Sequence, residues 1–137
     1  MSVRSFFDSN ILVYTDDDDA PDKKGRALEL YAECRSAGTG VVSTQVLQES
    51  FVATTRRLGV DAALARRKTE LFGRLQLVPI RLEDIVAAID LHRIHALSFW
   101  DALIVRAASA SGCRQLYSEG MQTGWRLDGL EIVNPFA

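Results

Sequence analysis

The sequence predicts an α/β fold, with a central parallel sheet of four to five strands and helices on both faces. Short segments rich in β-branched and aromatic residues, such as residues 3–7, alternate with longer segments in which apolar residues recur at helical spacing. This alternation is typical of parallel sheets, whose strands are buried between helices. The length of 137 residues, with 47% hydrophobic and 25% charged residues, fits one globular domain over residues 1–137.

The first half of the chain predicts two strand–helix units followed by a further helix. In order, these elements are a strand over 3–7, a helix over 22–36, a strand over 41–43, a helix over 44–58 and a helix over 62–72. The helix over 22–36 carries Ala27, Leu30 and Cys34 on one face. Gly59 occupies the favoured position for a helix stop, and Asp61 is suited to cap the next helix.

The second half of the chain predicts three strands and two helices. In order, these elements are a strand over 77–80, a helix over 82–95, a helix over 98–111, a strand over 116–118 and a strand over 130–133. Pro79 indicates a strand at the sheet margin or a strand end, because proline cannot donate a ladder hydrogen bond. Gly112 follows the helix over 98–111 in the favoured stop position.

Composition limits the possible settings of the protein. No stretch approaches the ~18 apolar residues that a membrane-spanning helix needs, and the start of the sequence lacks the apolar core of a signal peptide. We therefore expect a cytoplasmic protein without membrane association. Cys34 and Cys113 are too few for a disulfide framework and are expected to be small apolar residues in a reducing compartment.

The net charge of −2 provides no overall attraction to nucleic acid. Two local basic clusters, Arg56-Arg57 and Arg66-Arg67-Lys68, are candidates for phosphate contacts, although each can equally be a solvated helix face. Nucleotide cofactors are disfavoured, because the chain contains no glycine-rich phosphate loop.

Three acidic residues interrupt apolar segments: Asp8 in FFDSNILVY, Glu49 in QVLQESFV and Asp101 in SFWDALIV. Burying a carboxylate costs several kcal/mol unless the charge is paired or coordinated. No Lys or Arg lies beside these acids in the sequence. If the three acids converge in space, a bound cation is the simplest compensation for their charge.

The predicted elements allow these acids to meet at one edge of the sheet. Ligands of an open parallel sheet bind beyond the carboxyl ends of the strands. Asp8 follows the first strand there, and Ser118 and Glu119 follow the fourth. Asp101 lies in the first turn of a helix, and Glu49 lies one to two turns into another. Oxygen ligands without His or Cys favour Mg²⁺ or Mn²⁺, which suits phosphodiester hydrolysis.

Each of these polar residues also has a purely structural interpretation. Asp101 fits a capping box, Asp8 can form an Asx-turn, and Glu49 can be an acid at a helix edge. Ser43 and Ser118 can position a water or a phosphate, or can satisfy the backbone at strand ends.

The remaining conspicuous side chains are His92, His95 and the aromatic residues of the second half. The two histidines are expected to pack or to cap a helix, because no third soft metal ligand accompanies them. Phe99 and Trp100 are predicted to belong to the core. Trp125 lies in a polar segment, where it can serve either the core or an interface.

The segments FFDSNILVY, VVSTQVLQESF, LSFWDALIVRAA and LYSEGMQTG followed by DGLEIVNPF resemble a PIN-domain protein of the VapC-type toxin branch. The resemblance covers nearly the whole chain in the right order. It implies a Mg²⁺- or Mn²⁺-dependent endoribonuclease that cleaves RNA as the toxin of a type II toxin–antitoxin pair. It also implies a homodimer inhibited by a small antitoxin protein. By position, Asp8, Glu49 and Asp101 match the family's first three acids, while Asn10 and Ser118 match polar positions of the same site.

The chain departs from this family pattern at the fourth acid. Relatives commonly have Ser-Glu-Asp where this chain has Ser118-Glu119-Gly120, so Gly120 replaces the expected Asp. Neighbouring side chains of an extended segment point in opposite directions, although the glycine can loosen the loop enough for Glu119 to act as a fourth catalytic residue. The alternative is a degenerate PIN domain that binds RNA or a protein partner with little or no catalysis. A small phosphatase is a weaker third hypothesis, because Asn10 stands where a second Asp would be expected.

Overall fold

The computed structural model describes residues 3–137. The strands are β1 (Ser5–Phe7), β2 (Gly40–Ser43), β3 (Gln76–Val78), β4 (Gln115–Tyr117), β5 (Arg126–Leu127) and β6 (Leu130–Val133). The helices are α1 (Ser9–Tyr14), α2 (Pro21–Ala37), α3 (Thr44–Arg57), α4 (Ala62–Phe72), α5 (Leu82–His95) and α6 (Phe99–Ala110). Among the helices of this range, none combines the length and the apolar character that a bilayer crossing requires.

The strands form one mostly parallel sheet in the order β3-β2-β1-β4-β6-β5. β1 pairs in parallel with β2 and β4, and the β2–β3 and β4–β6 pairs are also parallel. Only β5 is antiparallel, where it pairs with β6. The predicted fold class is confirmed, but the sheet has six strands instead of four to five. The difference includes β5, whose two residues are too few to show a strand period in the sequence.

The centre of the sheet is covered on both faces. Successive side chains of a strand point to opposite faces, and every residue of β1 and β2 is buried. Phe6, Phe7 and Leu116 are fully buried within the main core. The same core contains buried side chains from α1, α2, α3 and α6, so helices on both faces supply the cover, as predicted.

The strand register determines which residues leave the sheet together. Phe7 of β1 is the register partner of Tyr117 in β4. The next residues, Asp8 and Ser118, therefore emerge side by side at the carboxyl edge of the sheet. The Asp8 backbone N–H continues the ladder by donating to the Tyr117 carbonyl oxygen at 3.0 Å.

The segment around Asp8 differs from its prediction in two ways. The first strand begins at Ser5 instead of residue 3. The residues after Asp8, predicted as a loop, form the short helix α1. Ile11, Leu12 and Val13 are consecutive and all buried, so α1 has no polar face that could give a helical period in the sequence.

Two predictions for the second half need correction, and one holds. The strand predicted over 77–80 ends at Val78, before Pro79, yet it forms the sheet edge that the proline indicated. Trp100 is 61% exposed and does not belong to the core, whereas Phe99 packs against a small apolar cluster.

The predicted helix boundaries agree with the structure within one or two residues. Asp61 caps α4, because its Oδ2 accepts a hydrogen bond from the Ala63 N–H at 3.1 Å. Gly59 follows the end of α3 with φ at +68°, a conformation in which side chains are strained. Cys34 and Cys113 are buried free thiols, as predicted.

Candidate active site

Asp8 is a buried carboxylate at the carboxyl end of β1, only 7% exposed. Its Oδ1 accepts a hydrogen bond from the Ser9 backbone N–H at 2.7 Å, which makes Asp8 the N-cap of α1. Its Oδ2 accepts a hydrogen bond from the Ser118 hydroxyl at 2.8 Å. The two bonds engage both oxygens and hold the carboxylate in one orientation, so the capping role and a role at the site coexist.

Glu49 and Asp101 approach this carboxylate from two helices. Glu49 is the sixth residue of α3 and is partly buried. Gln45, one turn earlier, donates from its Nε2 to Glu49 Oε2 at 3.3 Å and to the Trp100 carbonyl oxygen at 3.1 Å. These contacts join α3 to the start of α6, where Asp101 lies in the first turn. The Asp101 backbone N–H donates to the Ser98 hydroxyl at 3.1 Å, so Ser98 is the cap that the sequence indicated.

The three carboxylates are close enough to influence one another's charge. Burial raises the pKa of Asp8 above its ordinary value, hydrogen bonds led by that from Ser118 oppose the increase, and the charge of Asp101 adds to it. Burial also raises the pKa of Glu49, where the Gln45 hydrogen bond opposes and the charges of Asp8 and Asp101 add. The structure therefore brings the three acids together at one edge of the sheet.

The acid cluster, defined as Asp8, Glu49 and Asp101, has no basic partner. None of its members forms an ion pair within residues 3–137. That range also contains no group of three or more His, Cys, Asp or Glu side chains arranged to hold a metal ion. Mg²⁺ commonly binds proteins through one or two carboxylates and keeps several waters. The oxygen-only donors therefore fit a hydrated divalent ion and do not form a closed metal cage.

Glu119 follows Ser118 but its carboxylate is bound elsewhere. Its Oε1 accepts a hydrogen bond from the Tyr14 hydroxyl at 2.6 Å, and its Oε2 pairs with Lys23 Nζ at 2.5 Å. Burial alone would raise the pKa of Glu119, but the contacts with Lys23 and Tyr14 together lower it. Its charge is not among the causes that shift the pKa of Asp8 or Glu49. The structure does not bring Glu119 into the acid cluster.

Asn10 and Gly120 lie together beside the cluster. A Cβ atom added at Gly120 would meet Asn10 Nδ2 at 3.6 Å, which is an ordinary contact. Asn10 Oδ1 accepts a hydrogen bond from the Glu119 backbone N–H at 3.3 Å. Asn10 therefore holds the loop in which the fourth acid is missing, and the position of Gly120 has room for a side chain.

Residues 5–120 match the family model of the PIN domain. The chain belongs to the PIN domain family. Among solved structures, the crystal structure of Mycobacterium tuberculosis VapC20, described as a Sarcin-Ricin loop cleaving toxin, matches this PIN domain with a TM-score of 0.70 at 23% sequence identity. The match covers 83% of this chain and 88% of that chain. No curated protein gives a match. The predicted PIN family is confirmed, and the shared fold is that of a VapC toxin.

The two serines predicted to support the site of this PIN domain have different positions. Ser118 lies at the acid cluster, where it donates to Asp8. Ser43 is fully buried, and its hydroxyl accepts a hydrogen bond from the Val46 N–H at 3.3 Å as the N-cap of α3. Ser43 therefore satisfies the backbone at a strand end, which was the structural alternative for this residue.

Sequence reasoning missed Ser9 and Gln45 as parts of the site. Ser9 donates to Asp8 and lowers the pKa of Glu49 through a further hydrogen bond. Gln45 bonds Glu49 and the backbone of α6. The signal for Gln45 was its spacing, because residues four apart on a helix are neighbours. The signal for Ser9 was its place directly after a strand-end acid.

Two clefts meet the acid cluster of this PIN domain. The arginine cleft, of about 560 Å³, is lined by Ser9, Gln48, Glu49, Val52, Ala53, Arg56 and Arg57. The aromatic cleft, of about 300 Å³, is lined by His95, Ala96, Leu97, Ser98, Asp101, Gly120, Met121, Gln122, Trp125 and Ile132. One cleft includes Glu49 and the other includes Asp101, so the acid cluster joins them.

Proposed function

We propose that this PIN domain is a divalent-metal-dependent endoribonuclease that hydrolyses phosphodiester bonds of RNA. The observation that supports the proposal best is the convergence of Asp8, Glu49 and Asp101, whose charge no basic side chain compensates in the described chain. Bound Mg²⁺ or Mn²⁺ would supply positive charge for the scissile phosphate and a more acidic water. The acid cluster would hold that ion.

The other residues of the site act on these acids or on the RNA. Ser9 and Ser118 orient Asp8 through their hydrogen bonds, and Gln45 orients Glu49. Arg56 and Arg57 line the arginine cleft and are exposed, so they can bind phosphates on one side of the scissile bond. For Glu119 to serve as a fourth catalytic residue, its carboxylate would have to release Tyr14 and Lys23.

We propose the role of a type II toxin for this nuclease, with a small antitoxin protein as its partner in the cytoplasm. The likeness of its fold to a VapC toxin supports this role. We further propose a homodimer, because α5 exposes a stripe of apolar residues. Leu82, Val86 and Ile89 are 76%, 51% and 43% exposed, at the i, i+4 and i+7 spacing of one helix face.

Cleavage by the purified protein tests the nuclease proposal. The RNA probes are a single-stranded oligomer and a ribosomal sarcin–ricin loop fragment, since VapC20 is described as cleaving that loop. We expect cleavage with Mn²⁺ or Mg²⁺ and none with excess chelator. Asp8→Asn should lower the rate by ~100-fold or more, as loss of a metal ligand does. The control is Asp90→Asn, an exposed aspartate of α5, which should cleave like the wild type. Equal cleavage by Asp8→Asn and wild type would refute the assigned site.

A second candidate function is binding of RNA or of a protein partner without turnover. The observation that favours it is the pairing of Glu119 with Lys23 and Tyr14, which leaves the fourth acid position empty at Gly120. Gly120→Asp discriminates between the two functions, because its Cβ meets only an ordinary contact. Cleavage by the variant alone would show that the natural chain is a binding protein or a weak enzyme. Equal cleavage by both proteins would show that the missing acid is unimportant.

A further inference from the structure

The aromatic cleft differs in chemistry from the arginine cleft. No Lys or Arg lines it, so it offers no strong partner for a phosphate. Its walls combine the rings of His95 and Trp125 with polar groups from Ser98 and Gln122. An apolar flat surface next to a few hydrogen-bonding groups is the combination that recognises an unstacked nucleobase.

We propose that the aromatic cleft is a nucleobase subsite, which binds one unstacked base of single-stranded RNA beside the phosphate held at the acid cluster. The occupant rests on the proposed function, since RNA is the substrate proposed for the same site. Asp101 belongs both to this cleft and to the acid cluster, so a base bound here lies within about one nucleotide of the scissile bond.

The two rings provide a rigid corner for such a base. The ring centroids of His95 and Trp125 are 5.6 Å apart, and the ring planes are inclined by 73°. Rings at this angle cannot cover each other's faces, so a flat group can stack on one ring while the other meets its edge. His95 is exposed at the end of α5, whereas Trp125 is half-buried.

Trp125 is held firmly enough to act as a platform. Its side chain packs against the main core, and its carbonyl oxygen accepts a hydrogen bond from the Ile132 N–H at 2.9 Å. Core packing and the cleft therefore use different parts of the same side chain. The sequence left core and interface as alternatives for Trp125, and the structure allows both.

The remaining groups can read the edge of the base. Gln122 is exposed at the cleft and carries both a donor and an acceptor. The volume of about 300 Å³ is at the lower end of the range for small-ligand pockets, which suits a single base and not a duplex. RNA would then cross the acid cluster with phosphates in the arginine cleft and a base in the aromatic cleft.

Tryptophan fluorescence tests the subsite without any need for cleavage. The chain contains two tryptophans, and Trp100 lines neither cleft, so Trp100→Phe leaves Trp125 as the only tryptophan. The probe is a short single-stranded 2′-O-methyl RNA, which resists cleavage, in buffer with excess chelator. We expect the probe to quench Trp125 in Trp100→Phe. In Trp125→Phe, where Trp100 reports, we expect little quenching.

Two further comparisons separate stacking from phosphate binding. An abasic oligomer of the same length should bind Trp100→Phe with little quenching. In anisotropy measurements with a labelled probe, Trp125→Leu should raise the Kd about tenfold, as loss of a base-stacking ring does. His95→Ala should also weaken binding; its exposed side chain keeps the test available if Trp125→Leu does not fold.

The outcomes distinguish this subsite from the nuclease function. Base-dependent quenching of Trp125 in a protein that cleaves no RNA would support the subsite and refute the enzyme. Equal quenching by the abasic oligomer would overturn the subsite even in an active nuclease, as would wild-type affinity in folded Trp125→Leu and His95→Ala. No binding of the RNA probe at all would overturn it too, and would leave the cleft to a protein partner.

Discussion

Asp8 combines the strongest burial with the most constrained geometry of any acid in the cluster. Its 7% exposure removes most of the water that would stabilise a charge, and its hydrogen bonds from Ser9 and Ser118 recover only part of that loss, because the pKa remains raised. The folded protein thus prefers the protonated acid when no cation is bound. A divalent ion that binds the ionised form would reverse this preference.

The raised pKa predicts how stability depends on pH in the absence of divalent metal. A carboxyl whose pKa is raised in the folded state stabilises the protein below its ordinary pKa, which is 3.8 for Asp8, and this contribution is lost as pH rises through the higher folded value. Asp8→Asn removes the loss. With chelator at neutral pH, we expect the variant to melt at the wild-type temperature or above it.

Thermal unfolding between pH 3 and pH 8, followed by circular dichroism, measures this difference at ~1 unit intervals. The curve for Asp8→Asn should fall less than the wild-type curve as pH rises from acid to neutral. The exposed Asp90→Asn control should follow the wild type. A clear drop in the neutral melting temperature of Asp8→Asn would show that the ionised carboxylate stabilises the apo fold, contrary to the burial argument.

At the residue scale, the sequence predicted the acids well and their hydrogen-bonding partners poorly. Asp8, Glu49 and Asp101 were identifiable because apolar neighbours on either side implied burial. The environment of Glu119 was not, because its partners Tyr14 and Lys23 are 105 and 96 residues away in the chain. Contacts at such separations depend on how α1 and α2 pack beside β4, which no local pattern specifies.

Helix α3 carries both the acid and the basic groups of the arginine cleft on one face. Val52, Ala53 and Arg56 follow Glu49 by three, four and seven residues, the spacings that place side chains on one side of a helix. This geometry turns Arg56 and Arg57 from an ambiguous basic pair into cleft-lining residues. The pair Arg66 and Arg67 on α4 does not line that cleft.

The two arginine pairs therefore predict a matched comparison. Arg56→Gln with Arg57→Gln should weaken binding of single-stranded RNA and reduce the salt dependence of log Kd by up to about two phosphate contacts, with a slope change near 0.7 per contact. Arg66→Gln with Arg67→Gln removes the same charge from α4 and should change the slope less. Filter binding at several salt concentrations measures both. An equal effect of the two pairs would indicate general charge attraction instead of a specific path.

At the element scale, the long helices and the central strands were predictable, and the shortest elements were not. α5 was predicted with its observed bounds, because Leu82 to His95 has a long apolar period between clear boundaries. α1 and β5 have six and two residues, which are too few to show a period. Their formation depends on tertiary pairing: Asp8 caps α1, and β6 provides the partner of β5.

The surface of the whole molecule is unusually apolar along α5. Leu82, Val86 and Ile89 expose a continuous stripe, while Ala88 on the other side of the helix is fully buried in a small cluster. Exposed apolar residues that occur singly need no explanation, but a continuous patch indicates an interface. Two copies that join through the same face would bury this stripe in a symmetric interface. The proposed homodimer therefore has a specific candidate surface.

Substitution at the middle of the stripe tests that assembly. Val86→Glu places a charge where two copies would meet, and desolvation of an unpaired carboxylate should weaken the dimer by at least ~10-fold. Leu28→Glu on α2 is the matched control, because Leu28 is 43% exposed and does not belong to the stripe. Sedimentation velocity over a range of concentrations should show a dimer for wild type and Leu28→Glu, and a monomer for Val86→Glu. A monomeric wild type would refute the dimer, whereas an intact dimer in Val86→Glu would move the interface to another surface. Because the stripe lies outside both clefts, RNA binding by the Val86→Glu monomer would further show that one subunit carries a complete substrate path.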